Sequence, residues 1–359
     1  MKAKGFSEAV IARLDKVHAA TTNKVYLSQW TLFEAWCRDR DLNPLAATSV
    51  CLCDFFLYLF QVRNLKPSTI EGYKSALSFI LKRAAGYDLS QCEILADMIK
   101  SFKVERPHHG RVVVEWDIAV VLEFLQSDRF LFEQVSPRDL TIKTAFLLAL
   151  ALGKRRSELH AIERASVRFA EEGDSVTLKP TALFLSKTHI SSKGVGAFKS
   201  ARVPALPHPP RPGEAQLCPV MCLKQYLLVS DKYRTPKQRR LFISFRNDRH
   251  TDIASSTLSG YIKSAIVDAY KRSEHLPDSV LQDKYRVKAH QVRHVAHSLG
   301  QLGALPLSEI IRTGGWTSEN TFIKFYLQDV SEEASSRLAK VGSFVAIESV
   351  FEPNKSVTF

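Results

Sequence analysis

Arg155, Lys187 or Lys193, His290, Arg293, Trp316 and Tyr326 follow one another along the chain. Two arginines, a lysine, a histidine, an indole and a late tyrosine are the groups needed to handle a phosphodiester without a metal. Guanidinium forks from Arg155 and Arg293 would hold the non-bridging oxygens and stabilise charge in a trigonal-bipyramidal transition state. A phenol with a pKa of about 10 is protonated at neutral pH, so Tyr326 needs nearby positive charge and a base to attack phosphorus. His290 is the group for that. A lysine on a mobile hairpin would protonate the leaving 5′ oxygen, and Trp316 can donate through its indole N–H.

Each residue also has a plainer reading. In "ALGKRRSELHAI" an apolar helix ends at Gly153, and Arg155 could simply pair with Glu158, one turn on. His290 and His294 in "KAHQVRHVAHSLG" are spaced to face a metal, yet position 291 is Gln where a metallopeptidase needs a Glu base. Lysines in a basic hairpin are often only solvated. Aromatics in a stretch such as "GGWTSENTFIKFYLQ" are more often core than chemistry. Order and residue type together lift the set above these readings. The chain has no clear Asp/Glu cluster for Mg²⁺, which agrees with covalent rather than two-metal catalysis, so neither metal nor cofactor is expected.

Positioning such groups takes a folded frame, and the first hundred residues read as amphipathic helices. Tyr26, Trp30 and Phe33 stripe one; Phe55, Phe56, Leu59 and Phe60 crowd a second; Ile70, Tyr73, Leu77 and Ile80 line a third; Leu95, Met98, Ile99 and Phe102 mark a fourth. Ser68 and Glu71 read as a capping box that starts the third helix directly after Pro67. "KVERPHHGRVVVEW" breaks the pattern as an exposed connector. Beyond it "WDIAVVLEFLQ" and "LTIKTAFLLALALG" are helical, and "SVTLKPTALFLSKTHISSKGVGAFKSARVPAL" reads as a hairpin with a long basic tip. Helical patterns return near 219–229, 256–272, 286–302, 307–313 and 319–327. The fold class is therefore mainly α with a small antiparallel β-sheet. The domains are a tail at 1–20, a helical domain at 21–104, a linker at 105–113, a mixed domain at 114–341 and a tail at 342–359.

With 50 Lys plus Arg against 37 Asp plus Glu in 359 residues, the formal charge of +13 points to a polyanionic partner. Lys24, Lys66, Lys74, Lys82, Arg83, Arg111 and Lys193 are candidates for backbone phosphates. Six scattered cysteines suit free thiols rather than a disulfide framework or zinc knuckles, with Pro219 in "CPVMC" placed for the first turn of a helix. The most apolar run, Thr144 to Leu152, is too short to span a bilayer, and the start of the chain has no long apolar stretch. No membrane partner is expected, and the protein is placed inside the cell.

At this point the chain resembles a known family, the tyrosine recombinases or phage integrases. "ALGKRRSEL" is similar to the family's first arginine box, which gives Arg155 its catalytic role and Glu158 a supporting one. "HQVRH" is similar to the His-x-x-Arg box and supplies His290 and Arg293, with His294 supporting; "GGW" and the following tyrosine supply Trp316 and the nucleophile Tyr326. Lys187 aligns best as the family's hairpin lysine, with Lys193 second. The resemblance runs over nearly all of residues 20 to 340. It implies a core-binding domain, a two-domain C-shaped clamp on double-stranded DNA, a 3′-phosphotyrosyl intermediate, a free 5′ hydroxyl, and a homo-tetramer with a dimer on each recombination site.

The family commonly sets its tyrosine nine residues after the His/Trp position, where this chain has Phe325; Tyr326 lies at ten. Phe325 cannot act as a nucleophile, so Tyr326 keeps the role. The aromatic ending "WTSENTFIKFY" looks like the recombinases of eukaryotic mobile elements of the Crypton and DIRS-like kind, which implies the nucleus. Two alternatives share the fold or the chemistry: a domesticated, non-catalytic DNA-binding protein, and a type IB topoisomerase that relaxes DNA as a monomer.

Overall fold

The computed structural model describes residues 7–14, 20–89, 92–107, 116–186, 198, 200–206, 214–246, 250–272, 287–302 and 308. The chain divides into two compact units, Met1–Arg111 and Val112–Phe359.

Helices α1 (Glu8–Leu14), α2 (Ala20–Arg38), α3 (Ser49–Gln61), α4 (Pro67–Ala84) and α5 (Glu93–Glu105) form the first unit. The apolar stripes of α2 to α5 meet in one core that includes Phe33, Trp36, Phe55, Phe56 and Leu77. Phe60 and Phe102 stack at 4.1 Å between α3 and α5, and the guanidinium of Arg106 covers Phe60 at 3.6 Å. Such an aromatic pair adds about 0.5–1.5 kcal/mol beyond its buried area. Thr48 caps α3 by accepting from the Cys51 N–H. The expected Ser68–Glu71 capping box does not form. Lys66 is the N-cap of α4, Pro67 fills its first turn, and Glu71 instead pairs with Lys103 of α5 at 2.6 Å. With α4 starting at Pro67, Glu71 is its fifth residue rather than its third, so it is out of place for a capping box.

The second unit is built around α7 (Pro137–Leu152), which is buried on every side from Leu140 to Leu152. Helices α6 (Ile118–Gln126), α9 (Pro219–Ser230), α10 (Ser255–Arg272) and α11 (Gln291–Leu302) accompany it; α7 packs on α9, α10 and α11, and α6 packs on α10. A helix apolar all round belongs in a core, which is why α7 shows no amphipathic stripe. Its buried polar groups are satisfied: Lys143 donates to the Phe130 carbonyl at 3.1 Å and to Gln216 at 3.3 Å, and the Thr144 hydroxyl donates to the Cys222 carbonyl at 3.3 Å. Ser136 caps the start by accepting from the Asp139 N–H, Pro137 takes the first turn, and Gly153 ends α7 in the left-handed region at φ +55°. The short helix α8 (Arg156–His160) begins three residues after Gly153.

Strands β1 (Arg168–Phe169), β2 (Ser175–Leu178) and β3 (Ala201–Pro204) make an antiparallel sheet in the order β1-β2-β3. The β2–β3 pair is the hairpin expected from the sequence, with Val176 opposite Val203. Cys218 and Cys222 are buried thiols at the start of α9, with Pro219 in its first turn. Helix α11 begins at Gln291 rather than 286, because the Gln291 side chain accepts from the Lys288 N–H at 2.6 Å and closes a turn before it. The helical patterns at 307–313, Ser308 excepted, and at 319–327 lie outside the described residues, as do the linker after Pro107 and the tail from 342.

Candidate active site

Arg155, Glu158, His290 and Arg293 come together in the second unit. Gly153 turns the chain out of α7, and Arg155 becomes the N-cap of α8. Glu158, one turn into α8, accepts from the Arg155 backbone N–H at 2.8 Å through Oε2 and from the Arg155 guanidinium at 3.1 Å through Oε1. Arg293, in the first turn of α11, sets its Nη1 3.8 Å from Oε2 of the same carboxylate. Glu158 and Arg293 are 2% and 4% exposed, whereas the Arg155 side chain keeps 20% of its surface. One carboxylate thus lies against two guanidiniums, hydrogen-bonded to that of Arg155 and within ion-pair range of that of Arg293, and its single charge balances only one of them. The surplus positive charge is what an incoming anion would meet.

The plain pairing of Arg155 with Glu158 is therefore present, and it does not compete with anion binding. Both arginines also line a cavity beside that carboxylate. That cavity is lined by Arg155, Arg293, His290, Lys154, Arg156 and Ile262, among others. A second depression opens beside it, sharing Arg155, Arg156 and His290 and adding Lys263 and Lys288. The two together are lined by the cationic side chains of Lys154, Arg155, Arg156, Lys263, Lys288 and Arg293.

His290 is exposed and precedes α11, within the turn closed by Gln291. His294 follows one turn later, its ring 5.2 Å from that of His290. Burial, then His290 and Arg293, push the His294 imidazole down to about 4, so it is neutral at physiological pH. Among the described residues no three His, Cys, Asp or Glu side chains are grouped to hold a metal ion.

Lys154 and His297 were not singled out in the sequence, although both stand inside the quoted boxes. Lys154 lines the cavity with its ammonium 5.6 Å from the Phe198 ring. Burial pushes it down to about 8, with Glu158 opposing and Arg293 and Arg155 adding to the fall. His297 is buried on α11 behind Arg293. Neither had a local signal, since their burial comes from packing between α7, α8 and α11. Lys187, Lys193, Trp316, Tyr326 and Arg111 lie outside the described residues. Of the candidate DNA contacts in the first unit, Lys24 and Lys66 are exposed and Lys74 is half-buried. Lys82 is engaged by Asp88 at 2.5 Å, and Arg83 lies over the Phe79 ring at 3.9 Å.

No protein-family model matches the chain. Among solved structures, the Tn1549 transposon integrase in complex with circular intermediate DNA aligns over 92% of this chain and 97% of its own, with a TM-score of 0.52 and 15% identity. A lambda integrase dimer bound to a core site aligns over 91% of this chain and 96% of its own, with a TM-score of 0.47 and 15% identity. The chain shares its fold with the Tn1549 transposon integrase, a mainly helical frame with a small antiparallel sheet. In sequence it is similar to a curated integrase/recombinase, the xerD homolog of Selenomonas ruminantium, at 21% identity over 254 residues, covering 71% of this chain and 69% of the relative. The resemblance read from the arginine boxes thus has a relative and a fold behind it. Among the described residues no helix is long and apolar enough to cross a membrane.

Proposed function

We propose that the chain is a site-specific DNA recombinase that cleaves and rejoins DNA through a covalent 3′-phosphotyrosyl intermediate on Tyr326. The observation that carries this is the convergence of Arg155 and Arg293, from separate helices, on the single carboxylate of Glu158 beside a cavity that also holds His290. Two pre-oriented guanidiniums are suited to the non-bridging oxygens of one phosphate and to the charge that grows there in the transition state. With that charge in place, no metal is needed.

In the proposed step an oxygen–phosphorus bond forms between Tyr326 and the scissile phosphate, and the bond to the 5′ oxygen breaks. The phenol proton passes to His290, and the 5′ oxygen takes a proton from a lysine, Lys187 or Lys193. Trp316 supplies an indole N–H. Reversal with a different 5′ hydroxyl completes strand exchange. The likeness to an integrase/recombinase and to a transposon integrase in complex with DNA supports this reading. By extension double-stranded DNA is the partner, the helical unit serves as core-binding domain, and a homo-tetramer with two protomers per site carries out the exchange. The ending "WTSENTFIKFY" supports a eukaryotic mobile element as the source, and with it the nucleus.

The test is incubation with duplexes nicked just beyond the scissile phosphate, so that religation is lost. The chain should accumulate on DNA as a denaturant-resistant species that Tyr326→Phe abolishes while binding persists. A wild-type chain that binds DNA and never becomes attached would leave only the non-catalytic reading.

A further inference from the structure

His297 stands one turn after Arg293 on α11 and is 5% exposed. Its Nδ1 lies 2.6 Å from the Arg293 carbonyl oxygen, which can only accept, so Nδ1 carries the proton and donates. The other side of the ring is seated against Gly153. A Cβ built on that glycine would fall 2.7 Å from Cε1, 3.2 Å from Nε2 and 3.3 Å from Nδ1 of His297. Gly153 is therefore needed twice: for its left-handed backbone at φ +55° and for the bare surface that admits the ring. The next two residues along the chain are Lys154 and Arg155.

One imidazole thus bridges the backbone of Arg293 and the turn that delivers Arg155, with no other side chain between ring and glycine. A buried histidine is most often ordinary core. Here its hydrogen bond to the Arg293 carbonyl and its contact with Gly153 fall on the segments that carry the two arginines.

We infer that His297 is a positioning residue: its ring, keyed into Gly153, sets the spacing between α11 and the α7–α8 turn, and so holds Arg155 and Arg293 on one carboxylate. The kinetic consequence rests on the recombinase reading; the contact itself does not. Burial, with Arg293 and Lys154 nearby, pushes the imidazole down to about 3, so the ring fills this place without adding a further cation.

The test uses the full chain with His297→Ala, His297→Asn, Gly153→Ala and the double variant. Single-turnover attachment to a nicked duplex, DNA affinity and melting temperature are measured for each. His297→Ala should slow attachment about 10- to 100-fold and change the Kd less than twofold. His297→Asn retains an N–H near the Arg293 carbonyl and should recover part of the rate. Gly153→Ala should slow attachment severely in the wild-type background and much less in the His297→Ala background, where the methyl has room; the left-handed strain is common to both comparisons and cancels.

Attachment at the wild-type rate by a folded His297→Ala, or additive losses in the double variant, would overturn the inference. If His297→Ala does not fold, partial rescue by His297→Asn supports the inference and an unimpaired His297→Asn overturns it. If the wild type itself forms no attached species, the recombinase reading falls. Melting temperatures then decide the contact, non-additive shifts supporting it and additive ones refuting it.

Discussion

Arg293 sets a guanidinium nitrogen 3.8 Å from Glu158 while both side chains are almost wholly buried, and the same carboxylate holds Arg155 at 3.1 Å. Removal of the carboxylate leaves two guanidiniums uncompensated, that of Arg293 almost wholly buried. Glu158→Ala is therefore expected to cost about 3 kcal/mol, as breaking a buried pair does, read as a lower urea midpoint. Glu158→Gln, which can still accept from the Arg155 N–H, should fold better and lower attachment to DNA about 10- to 100-fold. Unchanged attachment in a folded Gln variant would show that the carboxylate orients nothing.

Arg155→Lys and Arg293→Lys keep the charge and lose the fork. Each should reduce the attachment rate by about 100-fold or more, since a bidentate grip on phosphate has no lysine equivalent. Near-normal rates would mean that point charge alone suffices, and the geometry described above would lose its role.

Binding to duplex DNA should weaken steeply with salt, log affinity falling by about 0.9 per neutralised phosphate for each decade of salt. Lys66→Ala, Lys263→Ala and Lys288→Ala are expected to lower that slope by about one each. Lys82→Ala and Arg83→Ala should lower it less, because Asp88 and the Phe79 ring already engage those side chains. A flat salt response in the wild type would argue against nucleic acid as the partner.

Stability should depend on pH through His297. In the unfolded chain its imidazole takes up a proton near pH 6.5, whereas in the fold it does so only at about 3. The unfolded state thus binds more protons in that window, so stability is full above pH 6.5 and is lost as pH falls towards 3. The loss is at most about 1.4 kcal/mol per pH unit for one group. Arg293, Lys154 and His294 face the ring and reinforce the effect, and His294, pushed down to about 4, adds a second contribution. Urea midpoints at pH 7 and pH 5 should differ less in His297→Asn than in the wild type. Equal differences would mean that the ring is not held neutral.

Much of this frame was legible in the sequence because periodicity and end signals are local. Helices α2 to α6 and α9 to α11 follow their apolar spacing, α7 follows its unbroken apolar run, and Gly153 announces the end of α7. The Ser68–Glu71 motif misled because Pro67 already occupies the first turn of α4, with Lys66 as its N-cap. Strand β1 has two residues and carries no alternation to read. The site divides along the same line. Arg155, Glu158, His290 and Arg293 could be picked out by type and spacing, whereas whether Arg155 pairs with Glu158 or faces an anion stayed open. Only the position of Arg293 against the same carboxylate shows that these readings are compatible. Lys154 and His297 matter through what packs on them, which no window of sequence contains.

The most direct measurement is to digest the DNA-linked species formed on a nicked duplex and locate the nucleotide-bearing residue by mass spectrometry. Attachment of a 3′ phosphate to Tyr326, with a free 5′ hydroxyl on the other strand end, is the predicted result. Attachment to any other residue, or through a 5′ phosphate, would contradict the proposed chemistry.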